Sequence, residues 1–167
     1  MLYLLDANVL IDANRDFYAI DRVTEFWEWL AFMGAKRSIK IPVEMFDEIK
    51  QGNDRLSEWA KKKENQDSLQ LNEDVNEDLV RRVIAEGYAP DLTDTEFEQV
   101  GKDPFLIAYA LVEPAGRCVV TTETSKPKKQ RANRHIPDVC ASLGINSCHA
   151  YELFRILDFR TDWKTRY

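Results

Sequence analysis

Four carboxylates stand where a chain of this kind can carry chemistry. Asp6 closes an apolar run, Glu48 lies in a helical segment, Asp103 precedes Pro104 at the start of another apolar run, and Glu123 follows the apolar run 117–121. If the runs are strands and helices of a parallel sheet, strand ends and helix starts collect at one edge, where open α/β sheets hold their ligands. Carboxylates crowded there cannot all stay ionised without a cation. Oxygen-only donors select Mg²⁺ or Mn²⁺ over zinc, and no Cys/His set competes with them. Such an ion makes a nucleophile from water and stabilises the leaving oxygen of a phosphodiester. Helix capping accounts for Asp6 and Asp103 without any of this.

The elements that must position these acids follow from the hydrophobic pattern. Met1, Leu2, Leu4 and Leu5 form a short continuous run, as expected of a strand buried on both faces. A helix begins near Val9, and a longer one carries Ile20, Val23, Phe26, Trp27, Leu30 and Met33 at helical spacing, ending near Gly34. A strand at 39–41 stops at Pro42, which opens a helix over 43–51. On it Glu44 and Glu48 share a face, with Glu44 read as a solvated surface acid. Residues 56–64 read as helical, 68–71 as a short strand, and 75–84 as a helix ended at Gly87. Residues 88–99, rich in acids, read as loop with one helical turn. An apolar helix follows Pro104, then a strand at 117–121, a helix at 136–143, a strand at 145–148 and a helix at 149–157. Strands alternating with helices predict an α/β fold, a three-layer domain with a parallel sheet flanked by helices on both faces.

At 167 residues the chain predicts a single domain, residues 1–158, with a polar tail at 159–167. Aromatics near the C-terminus would be available to a partner. Hydrophobic residues at 44% and charged residues at 31% describe an ordinary globular protein. The net charge of −6 does not advertise nucleic-acid binding, although a carboxylate cluster biases the count in that direction. The apolar start lacks a basic leader and no apolar stretch spans a bilayer, so neither a signal peptide nor a membrane is expected. Cys118, Cys140 and Cys148 are odd in number without metal-ligand spacing, as expected of reduced thiols in a cytoplasmic protein.

Leu5-Asp-Ala-Asn-Val-Leu-Ile11, Ile41-Pro-Val-Glu-Met-Phe-Asp-Glu-Ile49, Asp103-Pro-Phe-Leu-Ile-Ala-Tyr-Ala110 and Val119-Val-Thr-Thr-Glu123 resemble, in order, the four acidic motifs of PIN-domain nucleases, which include the toxin ribonucleases of toxin–antitoxin pairs. The resemblance spans nearly the whole chain. It implies a PIN-like fold and an Mg²⁺- or Mn²⁺-dependent endoribonuclease in which Asp6, Glu48 and Asp103 are the metal-binding acids. Glu123 stands at the fourth acidic position, where Asp is more usual, and its longer side chain moves the carboxylate outward. Asn8 and Thr121 match the family's auxiliary polar positions. An antitoxin partner and a homodimer are further implications.

Asp138 could complete the site, although an acid in the first turn of a helix is ordinary dipole complementation. Lys126, Lys128, Lys129, Arg131 and Arg134 directly follow the proposed metal edge and could contact RNA phosphates. A solvated loop explains the same residues. His135 and His149 have no partner acid or nucleophile nearby in sequence. Two other readings stay open: a catalytically silent PIN-like binding module, and a phosphoryl-transfer or phospho-acceptor domain using Asp6.

Overall fold

The computed structural model describes residues 1–166, and the last residue of the 159–167 tail lies outside the described residues. Strands β1 (Leu2–Leu5), β2 (Ile39–Lys40), β3 (Arg117–Thr121) and β4 (Asn146–His149) form one parallel sheet in the order β2-β1-β3-β4. Ten α-helices are found among the described residues. They are α1 (Ala7–Asp12), α2 (Thr24–Ala35), α3 (Val43–Lys50), α4 (Arg55–Lys61), α5 (Lys63–Leu69), α6 (Glu77–Arg82), α7 (Asp94–Val100), α8 (Asp103–Leu111), α9 (Ile136–Ser142) and α10 (Ala150–Ile156). The fold is α/β, with helices on both faces of the sheet, as the alternation of segments predicts. No helix among the described residues is long and apolar enough to cross a membrane.

β1 and β3 are the central pair, with Leu5 opposite Val120. Leu4, Leu5, Val119 and Val120 are fully buried, and all five residues of β3 are inside. A strand covered on both faces needs no polar alternation, which is why both segments read as continuous apolar runs. Around them packs an aromatic core. Phe26 of α2 stacks on Tyr18 at 4.4 Å and meets Phe154 and Phe159 edge-on at 5.2 Å. The tail packs back on this core: Trp163 is buried and its indole N–H donates to the Glu25 carbonyl at 2.9 Å. Of the aromatics near the C-terminus, Tyr151 is therefore exposed and Trp163 is not.

Several local readings change. Residues 68–71 are not a strand: α5 runs to Leu69, and only a single bridge joins Gln70 to Ile41. The end of α5 approaches α2 so closely that a Cβ on Gly34 would lie 2.7 Å from both Leu69 and the Ser68 carbonyl. Gly34 is thus a close-approach residue inside α2, which continues to Ala35. The segment read as loop at 88–99 contains α7, started by a capping box between Thr93 and Glu96 and ended by Gly101 at φ 57°. The helices α1 and α6 run on into π-helical turns, Ala13–Phe17 and Val83–Tyr88, a widening of the helix that leaves no mark in hydrophobic periodicity.

Candidate active site

Parallel pairing of β1 with β3 carries Asp6 to the carboxyl edge of the sheet. The Asp6 N–H bonds to the Val120 carbonyl at 2.9 Å, which sets Asp6 beside Thr121. The Thr121 hydroxyl donates to Asp6 Oδ2 at 3.0 Å and accepts from the Glu123 N–H at 3.2 Å. Asp6 is only 2% exposed and Thr121 only 1%. Although Asp6 stands at the N-cap position of α1, its side chain makes no capping bond. Asp103 is the first residue of α8, followed by Pro104, and its side chain does not cap that helix either. Neither acid is held by a well-formed capping bond, although Asp6 draws on the Asn8 N–H and Asp103 lies in the first turn of α8.

The electrostatics tie the acids together. Burial pushes the Asp6 carboxyl up to about 6, against the opposing bonds from Thr121 and the Asn8 backbone, with Glu123 and Glu48 adding repulsion. Asp103 is pushed up to about 8, by burial first and then by Asp6, Glu123 and Glu48. All four carboxylates thus lie in one field. They are not yet one cage: among the described residues, no three His, Cys, Asp or Glu side chains are gathered to hold a metal ion. Glu48 is exposed on α3, and Glu123 turns away to accept the Ile136 N–H at 2.7 Å at the start of α9. Mutual repulsion favours this spread, since like charges drawn together would have to take up protons.

The donor set nevertheless fits a hard divalent cation. Asp103 accepts no hydrogen bond from any described residue, and nearby the buried Tyr88 hydroxyl also has no partner. Burial, Asp103, Cys140 and Glu123 all raise the Tyr88 pKa, so the phenol stays neutral beside them. Desolvated carboxylates without a counter-charge and with oxygen atoms to spare suit Mg²⁺ or Mn²⁺.

The remaining predicted residues divide in two. Asn8 is exposed beside Asp6. Asp138 fastens the loop that precedes it, accepting the Ser125 hydroxyl at 2.5 Å and the Lys126 N–H at 2.7 Å. Burial works against the Asp138 carboxylate, but these bonds hold it below its ordinary range. Arg131 pairs with Asp91 and Glu96, each at 2.7 Å, and Arg134 donates to the carbonyls of Gly87 and Asp138. Both arginines thus hold the loop in shape, whereas Lys126, Lys128 and Lys129 are exposed and make no ion pair with a described residue.

Two residues beside the site escape a reading of the sequence. Tyr88 ends a π-helical turn just after Gly87, and only its polar tip in a buried position hints at a role. His135 is half-buried, with Nδ1 3.9 Å from Glu123 Oε2 and no hydrogen bond of its own. Twelve residues separate it from Glu123, and the turn that joins them follows no sequence period.

The chain belongs to a domain family of unknown function, DUF4411, whose model matches residues 3–161. No curated protein and no solved structure matches it.

Proposed function

We propose that this member of the DUF4411 family is a PIN-like endoribonuclease that hydrolyses RNA phosphodiester bonds with Mg²⁺ or Mn²⁺. The observation that carries the reading is the pair Asp6 and Asp103, both raised by burial and by one another's neighbours, neither used as a helix cap. Acids largely withdrawn from water with no basic partner are what a cation site needs before it is filled.

In this reading Asp6, Asp103 and Glu48 hold the ion, and Glu123 joins them by releasing the Ile136 N–H. When bound, the ion supplies positive charge at the scissile phosphate and acidity to water. Thr121 orients Asp6 through its hydroxyl, which fixes one carboxylate oxygen and leaves the other for the ion. The Tyr88 hydroxyl, neutral and unpartnered, is a donor for a phosphate oxygen or a water at the same edge. Lys126, Lys128 and Lys129 offer the RNA backbone point charges that offset the acidic surface. The acids Glu48 and Asp103, which follow Asp6 in nuclease order, weigh against the phospho-acceptor alternative. The toxin role, an antitoxin partner and a homodimer rest on the family resemblance of the four motifs alone.

The test is cleavage of single-stranded and structured RNA with Mn²⁺ or Mg²⁺, alongside a chelator and Asp103→Asn. Either control should lower the rate on the order of 10³-fold or more, since several kcal/mol of transition-state stabilisation depend on the site. Cleavage that persists in both would sink the reading. Metal binding without cleavage of any RNA would leave a silent binding module.

A further inference from the structure

Next to the carboxylate edge lies a small cavity of about 170 Å³. Its walls come from the π-helical turn after α1, from Thr122 just past β3, and from the start of α10. Phe17 and Tyr151 are, at 59% and 39% exposed, large rings left in contact with water. They meet edge-on at 5.3 Å, while His149 stacks on Tyr151 at 5.3 Å with 26° between the planes. The His149 ring is fixed from both sides: Nδ1 accepts the Tyr151 N–H at 3.3 Å and Nε2 lies 3.2 Å from the Thr122 carbonyl. A carbonyl only accepts, so Nε2 is the donor of that pair.

The polar rim is acidic. Asp12 accepts the Thr122 hydroxyl at 2.6 Å, and Arg15 spans Asp12 and Asp16 at 2.8 and 2.7 Å. One guanidinium against two carboxylates leaves the rim net negative, which repels a phosphate. The same oxygens have lone pairs to spare for N–H donors. Exposed rings and carboxylate acceptors lining one cavity match an unstacked nucleobase, whose π-face meets aromatic side chains while its edge offers amino and imino hydrogens. The volume suits one base, being well under the roughly 300–1,000 Å³ of sites for larger ligands.

We infer that the cavity walled by Phe17, Tyr151 and His149 is a base-binding subsite, taking a single nucleobase of single-stranded RNA next to the acidic edge at Asp6 and Asp103 where the proposed ion would meet the scissile phosphate. This inference rests on the ribonuclease reading. It makes that reading more specific: the substrate is unpaired at the cut, and one neighbouring base is gripped while the backbone crosses the acidic edge. Thr122 ties the two parts together, being one residue from Thr121 on one side and bonded to Asp12 and His149 on the other.

Binding separates the subsite from the chemistry. In the Asp103→Asn background, affinity for labelled single-stranded heptanucleotides is measured by anisotropy, with one abasic nucleotide moved along the RNA. Tyr151→Ala should weaken binding about tenfold, and Phe17→Ala, at a more exposed ring, somewhat less. An abasic nucleotide at one position should cost a similar factor in the parent, and almost nothing further once Tyr151 is Ala. Strictly additive losses would overturn the subsite. So would unchanged RNA binding, including the case in which Phe17→Ala instead converts a dimer to a monomer, since the rings would then be a protein interface. A wild type that cleaves RNA with no loss in Tyr151→Ala removes the subsite alone. A wild type that neither binds nor cleaves RNA removes the ribonuclease reading with it.

Discussion

The two ends of β3 handle buried charge in opposite ways. At its amino end Arg117 is 7% exposed, yet its guanidinium is met by Glu73 at 2.8 and 3.0 Å and by the Tyr109 carbonyl at 3.0 Å. At its carboxyl end Asp6 and Asp103 share a region with Glu48 and Glu123, and no basic side chain pairs with either. A charge kept for structure is brought inside together with its counter-ion, because an uncompensated one costs several kcal/mol. Where the fold holds acids without a counter-ion, they keep a proton to higher pH or take a cation from outside the chain. This contrast between the two ends of β3 supports the proposed placement of the site at the carboxyl end.

The widest way to test this contrast is to unbalance the end that is balanced. Arg117→Ala should destabilise the fold by about 2–3 kcal/mol in urea unfolding, because Glu73 and the Tyr109 carbonyl lose their donor. A cost under about 1 kcal/mol would mean that the amino end is no structural pair. Asp103→Asn should do the reverse, leaving the metal-free protein as stable or up to about 1–3 kcal/mol more so at pH 8. A destabilised variant would return Asp103 to a structural role.

The pH dependence sharpens the same point. Between its ordinary value of 3.8 and about 8, Asp103 holds a proton in the folded state that the unfolded chain has released. Raising the pH through that window therefore lowers stability, by up to about 1.4 kcal/mol per unit for one such group, and below the window the effect vanishes. Asp6, raised to about 6, adds to the slope over the lower part of that window. Thermal unfolding of the metal-free protein from pH 5 to 8 should show the decline, Asp103→Asn should flatten it, and Mn²⁺ should restore stability at pH 8. A rise in stability over the same range would contradict the raised carboxyls. The smallest effect is expected at Thr121. Thr121→Val removes two hydrogen bonds, to Asp6 and from the Glu123 N–H, costing about 1–2 kcal/mol, while cleavage falls about 10–100-fold. Thr121→Ser should recover most of the activity; loss in Thr121→Ser with none in Thr121→Val would mean that the methyl group, not the hydroxyl, matters.

How much of this was legible in the sequence differs by residue. Asp6 and Asp103 stand out because a buried strand and an apolar helix each begin or end abruptly at an acid, and hydrophobic patterning records such breaks. The parallel sheet follows from the same patterning. Arg117–Glu73 does not: the two lie 44 residues apart, and no local period links them. The helix α7 was obscured by its acids, and its readable signal was the spacing Thr93-x-x-Glu96 rather than its few apolar residues. For Arg131 and Arg134, charge pointed to RNA, whereas the carboxylates and carbonyls that engage them come from other elements. The aromatic cavity was missed because Phe17 and Tyr151 are joined only by the fold, across the π-helical turn and the start of α10.

The bond from Thr121 to Asp6 closes a loop of 115 residues. At roughly 5–20 residues per second, about 6 to 23 s of translation separate the emergence of its two halves. During that interval β1 has no β3 to lie against, and Asp6 is an ordinary hydrated aspartate. The proposed site, put together from segments 115 residues apart, does not exist while the ribosome is still making the chain, and it forms only once β3 has been made.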